Sequence, residues 1–238
     1  MPEPQPLGSA RVLRRIERTL AARGLPVPQP DTGREVLSPD EPGHPDFHRR
    51  QRVEFAMNRW RAAAPHRYRD ATCTHPGIAA WADIAAADEH EAGALLITGP
   101  LGTGKTHQAF GALRRIAESA PTRFEAVATT APDMFALLRP DGSPRGSEEE
   151  VRRLARIPLL LLDDVGAEKP SEWTEEATYR ILNERYNACR PMVITSNLPV
   201  HSATGHDLAA RLGGRIASRL AEMATVVPMT GTDRRRPT

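Results

Sequence analysis

Downstream of residue 93, the apolar residues of this 238-residue chain alternate between two rhythms. Short, mainly apolar runs occur at 94–98, 124–129, 159–162 and 192–195. Between them lie 105–119, 132–138 and 172–188, where apolar residues recur at three- and four-residue spacing, and 148–155, a more charged helical stretch. Runs apolar on both faces and separated by amphipathic helices predict a parallel sheet covered on both sides, an α/β three-layer αβα sandwich.

Upstream the pattern differs. Leu13, Ile16 and Leu20 recur at helical spacing behind Ser9, a good N-cap, and Gly24 and Pro26 supply a stop, so 10–23 reads as a short amphipathic helix. Arg11, Arg14, Arg15, Arg18 and Arg23 crowd its polar side, either as a docking surface for a partner or phosphate or as a solvated face. Prolines at 26, 28, 30, 39, 42 and 45 then indicate an extended linker. Helices are expected at 47–64, with Val53, Met57 and Trp60 in register, and at 77–87 around Ile78, Trp81 and Ile84. The expected organisation is a basic helix and linker (1–45), a helical lead-in (46–90), the α/β domain (91–229) and a basic tail (230–238).

Composition narrows the partners. A net charge of +2 gives little long-range steering toward nucleic acid, so any DNA contact must rest on local patches. An aromatic content of 5% argues against a stacking platform for single strands. Cys73 and Cys189 are the only cysteines, and the lone Cys73-x-His75 pair supplies too few ligands for structural zinc. No apolar run is long enough to cross a membrane and MPEPQPLGSA lacks a signal-peptide core, so a cytoplasmic location is expected. Thirty of the 32 basic residues are arginine, which makes Lys105 and Lys169 unusual choices.

Lys105 sits in the sharpest motif. Gly99, Pro100, Leu101, Gly102, Thr103, Gly104, Lys105 and Thr106 spell G-x-x-x-x-G-K-T between an expected strand and an expected helix. Glycines let backbone N–H groups turn toward phosphate oxygens, and the helix N-terminus adds its positive end. Lys105 is placed to reach the β- and γ-phosphates of ATP, and the Thr106 hydroxyl to ligate Mg²⁺.

The metal's second protein ligand is expected at the acidic tip of an adjacent buried strand, where Leu159–Leu162 run into Asp163 and Asp164. Two neighbouring carboxylates at a buried strand end are costly without a cation or donors. Asp163 reads as the Mg²⁺ ligand and Asp164 as the base or water-orienting group. Asn197, after the run 192–195, would polarise water or sense the γ-phosphate, although Asn-Leu-Pro is also an ordinary turn. Arg211, Arg215 and Arg219 recur every four residues beside Ile216, Leu220 and Met223, all expected on one helix, where an arginine can reach a neighbouring subunit's phosphate or simply face solvent.

Together these segments resemble the bacterial helicase-loader ATPases of the DnaC and DnaI type and the related IstB transposition ATPases, within the initiator clade of AAA+ P-loop NTPases. The resemblance is carried by PHRYRDA (65–71), GPLGTGKTH (99–107, ending in His107), LLLLDDVGAEK (159–169), LNERYNACRPMVITSNL (182–198) and GGRIASRL (213–220). It implies that Asn197 is the sensor I residue, that Arg219 is the trans-acting arginine finger with Arg215 beside it, and that 131–158 corresponds to the helical element lining single-stranded DNA. Asp164 stands where many AAA+ proteins carry glutamate, which fits slow hydrolysis and a switch more than a motor. The N-terminal 60 or so residues match no named pattern, and no sensor II domain is found after Met223.

The function implied is an ATP-hydrolysing switch on DNA, an ATP-dependent homo-oligomer that partners a replicative helicase. The alternatives are a helper ATPase serving a transposase, and a nucleotide-gated adaptor that rarely hydrolyses ATP and recruits a partner through the basic helix 10–23.

Overall fold

The structure is a computed structural model and describes residues 19–24, 37–167, 171–202 and 204–233. The chain forms two compact units, Met1–His44 and Pro45–Thr238. In the first, residues 19–22 are helical. The rest of the expected basic helix, most of the proline-rich stretch, Lys169 and the arginines of the tail lie outside the described residues.

The second unit opens with α1 (Pro45–Ala63), a single 3₁₀ turn (His66–Tyr68) and α2 (Pro76–Ala87), then alternates strands and helices. These are β1 (Ala94–Thr98), α3 (Lys105–Glu118), β2 (Ala126–Thr130), α4 (Ala131–Leu138), α5 (Ser147–Arg156) and β3 (Leu159–Asp163). They are followed by α6 (Glu172–Asn187), β4 (Met192–Ser196), α7 (Leu208–Leu212), α8 (Gly214–Met223) and β5 (Ala224–Pro228). The five strands form one parallel sheet in the order β2-β3-β4-β1-β5.

Two-residue periodicity divides the strands between two cores. Leu95, Ile97, Leu161, Val193 and Val227 face one layer with Trp60, Trp81, Phe110, Leu113 and Ile116 of α1, α2 and α3. Leu96, Leu160, Leu162 and Ile194 face the other with Met134, Leu154, Ile181, Leu182, Ile216 and Leu220 of α4, α5, α6 and α8. β1, β3 and β4 are therefore buried on both faces, apart from Asp163 at the end of β3, whereas β2 and β5 at the edges are partly exposed. Trp60 and Trp81 are fully buried, and their indole N–H groups donate to Phe110 O (3.3 Å) and Ala92 O (2.8 Å). Truncating a tryptophan so placed costs about 3–5 kcal/mol.

Three features depart from the sequence reading. The acidic strand β3 is not next to β1: β4 pairs with both and lies between them. Arg211, Arg215 and Arg219 do not share a helix, because Gly213 adopts φ 83° and breaks the stretch into α7, which carries Arg211, and α8. A left-handed φ is one that only glycine adopts without penalty, so the helical pattern cannot run through it. The chain after α8 adds β5, which the reading overlooked. Its Ala-Thr-Val-Val-Pro run is short and half-exposed, as an edge strand's is, and ends in a proline that a central strand would not tolerate.

Candidate functional site

The C-terminal ends of the parallel strands converge on a cleft of about 340 Å³ lined by Arg67, Tyr68, Leu101, Gly102, Gly104, Lys105, Thr106, His107, Asp164 and Asn197. Larger open space, about 650 Å³, lies at the other end of the sheet, around Gly93, Arg190 and Thr225, but carries no comparable phosphate-binding loop. Size therefore does not select the site; chemistry does.

The loop between β1 and α3 takes its shape from glycine. Gly99, Gly102 and Gly104 have φ values of 142°, 78° and 95°, and Gly104 is the N-cap of α3. Two of them also admit close neighbours. A Cβ on Gly99 would lie 2.1 Å from Met229 O, and one on Gly102 would lie 1.8 Å from an Asp233 carboxylate oxygen. The segment after β5 thus packs along the loop. Thr103 is buried and its hydroxyl donates to Pro100 O at 3.0 Å, tying the turn internally.

Lys105 is 5% exposed, and its ammonium donates to Gly99 O (2.8 Å), Pro100 O (2.8 Å) and Asn197 Oδ1 (2.7 Å). The Thr106 hydroxyl donates to Asp163 Oδ1 at 3.0 Å and lies 3.2 Å from Oδ2. Burial pushes the Asp163 carboxyl above the usual range. Bonds from Thr195 and Thr106 and the Lys105 charge only partly oppose this, and the Asp164 charge reinforces it.

β4 knits the site together. The Thr195 hydroxyl donates to Asp163 Oδ1 at 2.5 Å and accepts the Asp164 N–H at 3.0 Å, while Val165 N–H donates to Thr195 O at 2.9 Å. The Ser196 hydroxyl donates to Val165 O at 2.7 Å, and Asn197 Nδ2 donates to Asp164 Oδ1 at 3.3 Å. Asp164 has φ 56°, in the left-handed region, and this net of bonds holds it there. Strain of that kind persists only where its surroundings over-determine it, and it clusters at functional sites. Asn197 accordingly spans both acceptor and donor roles, between Lys105 and Asp164.

Thr106 and Asp163 place hard oxygen atoms side by side, the donor set that magnesium takes, and a glycine-lined turn at a helix N-terminus is an anion cradle. The residues present therefore fit a magnesium-bound nucleoside triphosphate. Of the sequence-expected set, Lys105, Thr106, Asp163, Asp164 and Asn197 are brought together, and Gly102, Gly104, Leu101 and His107 line the same cleft. Arg219 is placed elsewhere, bonded to Asn183 and Tyr179 of α6, and Arg215 lies near the same Tyr179 ring at 6.0 Å.

Sequence reasoning missed Thr195, whose role depends on two partners more than 30 residues away. It also missed how the lead-in is held. Buried Gln108 accepts the N–H groups of Thr74 (2.9 Å) and His75 (3.0 Å) and donates to Thr74 Oγ1 (2.8 Å), clamping 72–75 onto α3. Gly111 permits that approach, since a Cβ there would meet Thr72 C at 2.4 Å. Arg67 and Tyr68, which follow α1 and precede this clamp, lie in the PHRYRDA segment and line the cleft; Tyr68 stacks on Phe110 at 4.8 Å. His75 caps α2, accepting the Gly77 N–H at its Nδ1. Among the described residues, no three His, Cys, Asp or Glu side chains cluster as a metal site would need, and no helix is long and apolar enough to cross a membrane.

Comparison with known proteins agrees with this geometry. Residues 75–238, more than half of the chain, match the family model of the IstB-like ATP binding protein. The replicative helicase loader DnaI of Bacillus subtilis (strain 168) is 24% identical over 151 residues, 60% of this chain and 48% of that protein, so the chain spans about half the length of this relative. The crystal structure of the DnaC helicase loader superposes with a TM-score of 0.57 at 26% identity, covering 70% of this chain and 100% of that one. The replication initiator DnaA bound to AMPPCP and single-stranded DNA shares the fold, with a TM-score of 0.53 at 21% identity over 64% of this chain and 45% of that one. With the glycine-bent cradle, the acidic strand end and the five-stranded sheet in place, the chain belongs to the IstB-like ATP-binding proteins and has the P-loop AAA+ fold.

Proposed function

We propose that this protein hydrolyses ATP as a switch acting on DNA, in the manner of a replicative helicase loader. The observation that carries this is the coupling of Lys105, on the cradle, through Asn197 to Asp164, on the strand end. A γ-phosphate entering the cradle meets Lys105 and disturbs its bond to Asn197, and Asn197 holds the carboxylate best placed to orient water. Nucleotide state is thereby communicated to the acidic turn and to β4.

Lys105 and the backbone N–H groups of the loop bind the phosphates. Thr106 and Asp163 would hold Mg²⁺, which when bound neutralises charge developing on the β- and γ-oxygens. Asp164 orients the attacking water and accepts its proton. Arg219, whose hydrogen bonds among the described residues go to α6, stabilises the transition-state charge at the cleft of a neighbouring subunit. The segment 131–158 is the single-stranded DNA contact. Its loop is anchored by buried Glu150, which accepts from Ser143 (2.8 Å), Arg145 (3.2 Å) and Arg153 (3.0 Å). Burial pushes the Glu150 carboxyl up, but these bonds outweigh it and hold the group below the usual range.

The test is phosphate release measured against protein concentration, with and without single-stranded DNA and Mg²⁺. The rate per subunit should rise with concentration and with DNA, and rates indifferent to both would remove the trans-acting arginine and the DNA contact together. The family match favours a second reading, a helper that presents target DNA to a transposase. ATP-dependent co-purification with a hexameric helicase supports the first reading, and with a transposase the second.

A further inference from the structure

Helices α6 and α8 face one another through matching ladders. Tyr179, Asn183 and Tyr186 stand at i, i+4 and i+7 on α6, and Arg215, Arg219 and Glu222 stand at the same spacing on α8. The Arg219 guanidinium is the centre of the array. Its Nε donates to Asn183 Oδ1 at 2.9 Å and its Nη2 donates to the Tyr179 hydroxyl at 3.2 Å. Its Cζ lies 5.4 Å from the Tyr179 ring centroid and 5.0 Å from that of Tyr186. Both distances are within the range of a cation–π contact. The Tyr186 hydroxyl is itself bonded to Glu222, which raises its pKa and holds that ring in place.

We propose that Tyr179, Asn183 and Tyr186 form a positioning cradle that pre-orients Arg219 for a phosphate on a neighbouring subunit. The proposal rests on the trans role of Arg219 in the preceding reading and adds the residues that set its geometry. A guanidinium has five N–H donors, and among the described residues bonds engage one on Nε and one on Nη2, which leaves the Nη1 group and the second Nη2 hydrogen for an acceptor on a neighbouring subunit. That arrangement is selective. The side holding the stem is satisfied by neutral acceptors, while the Nη edge, the one that grips phosphate with two parallel bonds, stays available. Arg219 is half-buried, with its guanidinium confined over the rings of Tyr179 and Tyr186. An arginine otherwise surrenders much rotamer freedom on gripping an anion, and prior confinement moves that cost from the reaction into folding. Acceptors of opposite charge would do the reverse, since a carboxylate at 183 would neutralise the group it positions.

The experiment compares Arg219→Ala, Asn183→Leu, Tyr179→Phe, Tyr186→Leu and Tyr186→Phe in the full chain, reading ATP turnover at saturating protein concentration, KM for ATP, and nucleotide-dependent assembly by sedimentation. Leucine is a better helix former than asparagine, so Asn183→Leu should not lose fold, and thermal unfolding checks this. Arg219→Ala should lower kcat by a hundredfold or more. Asn183→Leu should lower it by about tenfold with KM moving less than twofold, because geometry and not nucleotide binding is lost. Tyr179→Phe should lower kcat by a few-fold, and Tyr186→Phe should retain more activity than Tyr186→Leu because the ring face survives. If Arg219→Ala is strongly impaired while the cradle variants match wild type, the cradle is overturned and the trans role stands. If the cradle variants are faster than wild type, the contacts restrain Arg219 and the proposal is also overturned. If Arg219→Ala alters neither turnover nor assembly, both the cradle and the trans role fail.

Discussion

Two buried cations, at opposite ends of the same sheet, have opposite fates. Lys105, 5% exposed, ends in a cleft, and its three acceptors include the side chain of Asn197, which is itself bonded to the acidic turn. Arg185, 0% exposed, is surrounded by main-chain carbonyls: those of Leu154 (3.0 Å), Ile157 (2.7 Å), Pro158 (3.1 Å) and, closest, Pro191. Burial, reinforced by the nearby charge of Arg190, pulls the Arg185 pKa down to about 9, so it stays charged at neutral pH. Its Nε has no partner among the described residues. Arg185 staples the loops entering β3 and β4 to α6, whereas Lys105 lines an open cleft. Burial of a charge therefore does not by itself mark function. What distinguishes the two is whether the acceptors belong to an open, convergent site or to a closed one.

The largest expected effect tests the closed site. Arg185→Met leaves several buried carbonyls without donors and should cost about 3–5 kcal/mol in urea unfolding, while the folded fraction keeps its ATP affinity within about twofold. A mild loss of stability with a large loss of affinity would invert the comparison. Next, Lys105→Ala should weaken ATP binding by about a hundredfold, roughly 2.7 kcal/mol, with an unfolding free energy within about 1 kcal/mol of wild type. Nucleotide affinity left intact would remove Lys105 from the site.

The smallest effect is the most diagnostic for the metal. Because the folded-state pKa of Asp163 lies above its unfolded value, its contribution to stability is fully present below the unfolded pKa and is lost as pH rises through the folded one. An ionised carboxylate at this half-buried position is a liability in the nucleotide-free protein. Asp163→Asn should then be more stable than wild type by about 1 kcal/mol at pH 7, an advantage that disappears as pH falls toward about 4. Adding Mg²⁺ and ATP should reverse the order, stabilising wild type and not the variant. A variant less stable than wild type at pH 7 without ligand would show that the bonds from Thr106 and Thr195 outweigh burial.

Legibility in the sequence followed the range of the interaction. The cradle 99–106 was readable because its glycines, lysine and threonine act within a single turn, and the paired acids because the leucine run before them is contiguous. The break at Gly213 was not read, since the apolar spacing around Ile216 and Leu220 continued a helical pattern that one left-handed residue interrupts. The edge strand β5 was hidden for a related reason: one strand pairs it, and the burial that marks a central strand is lacking.

The order of local chain states, strand then cradle then helix, and the identity of the groups at each strand end were decided by the sequence alone, because hydrophobic period and backbone sterics act over a few residues. Only the tertiary structure decided that β4 stands between β1 and β3, and hence that Thr195 and Asn197 are the bridge between Lys105 and the acids. It alone decided that Gln108 holds the lead-in to the cleft and that Arg219 rests between two tyrosines. The meaning of a buried polar side chain lies in its partner, and the partner is chosen by strand crossover and helix packing, which no local pattern encodes.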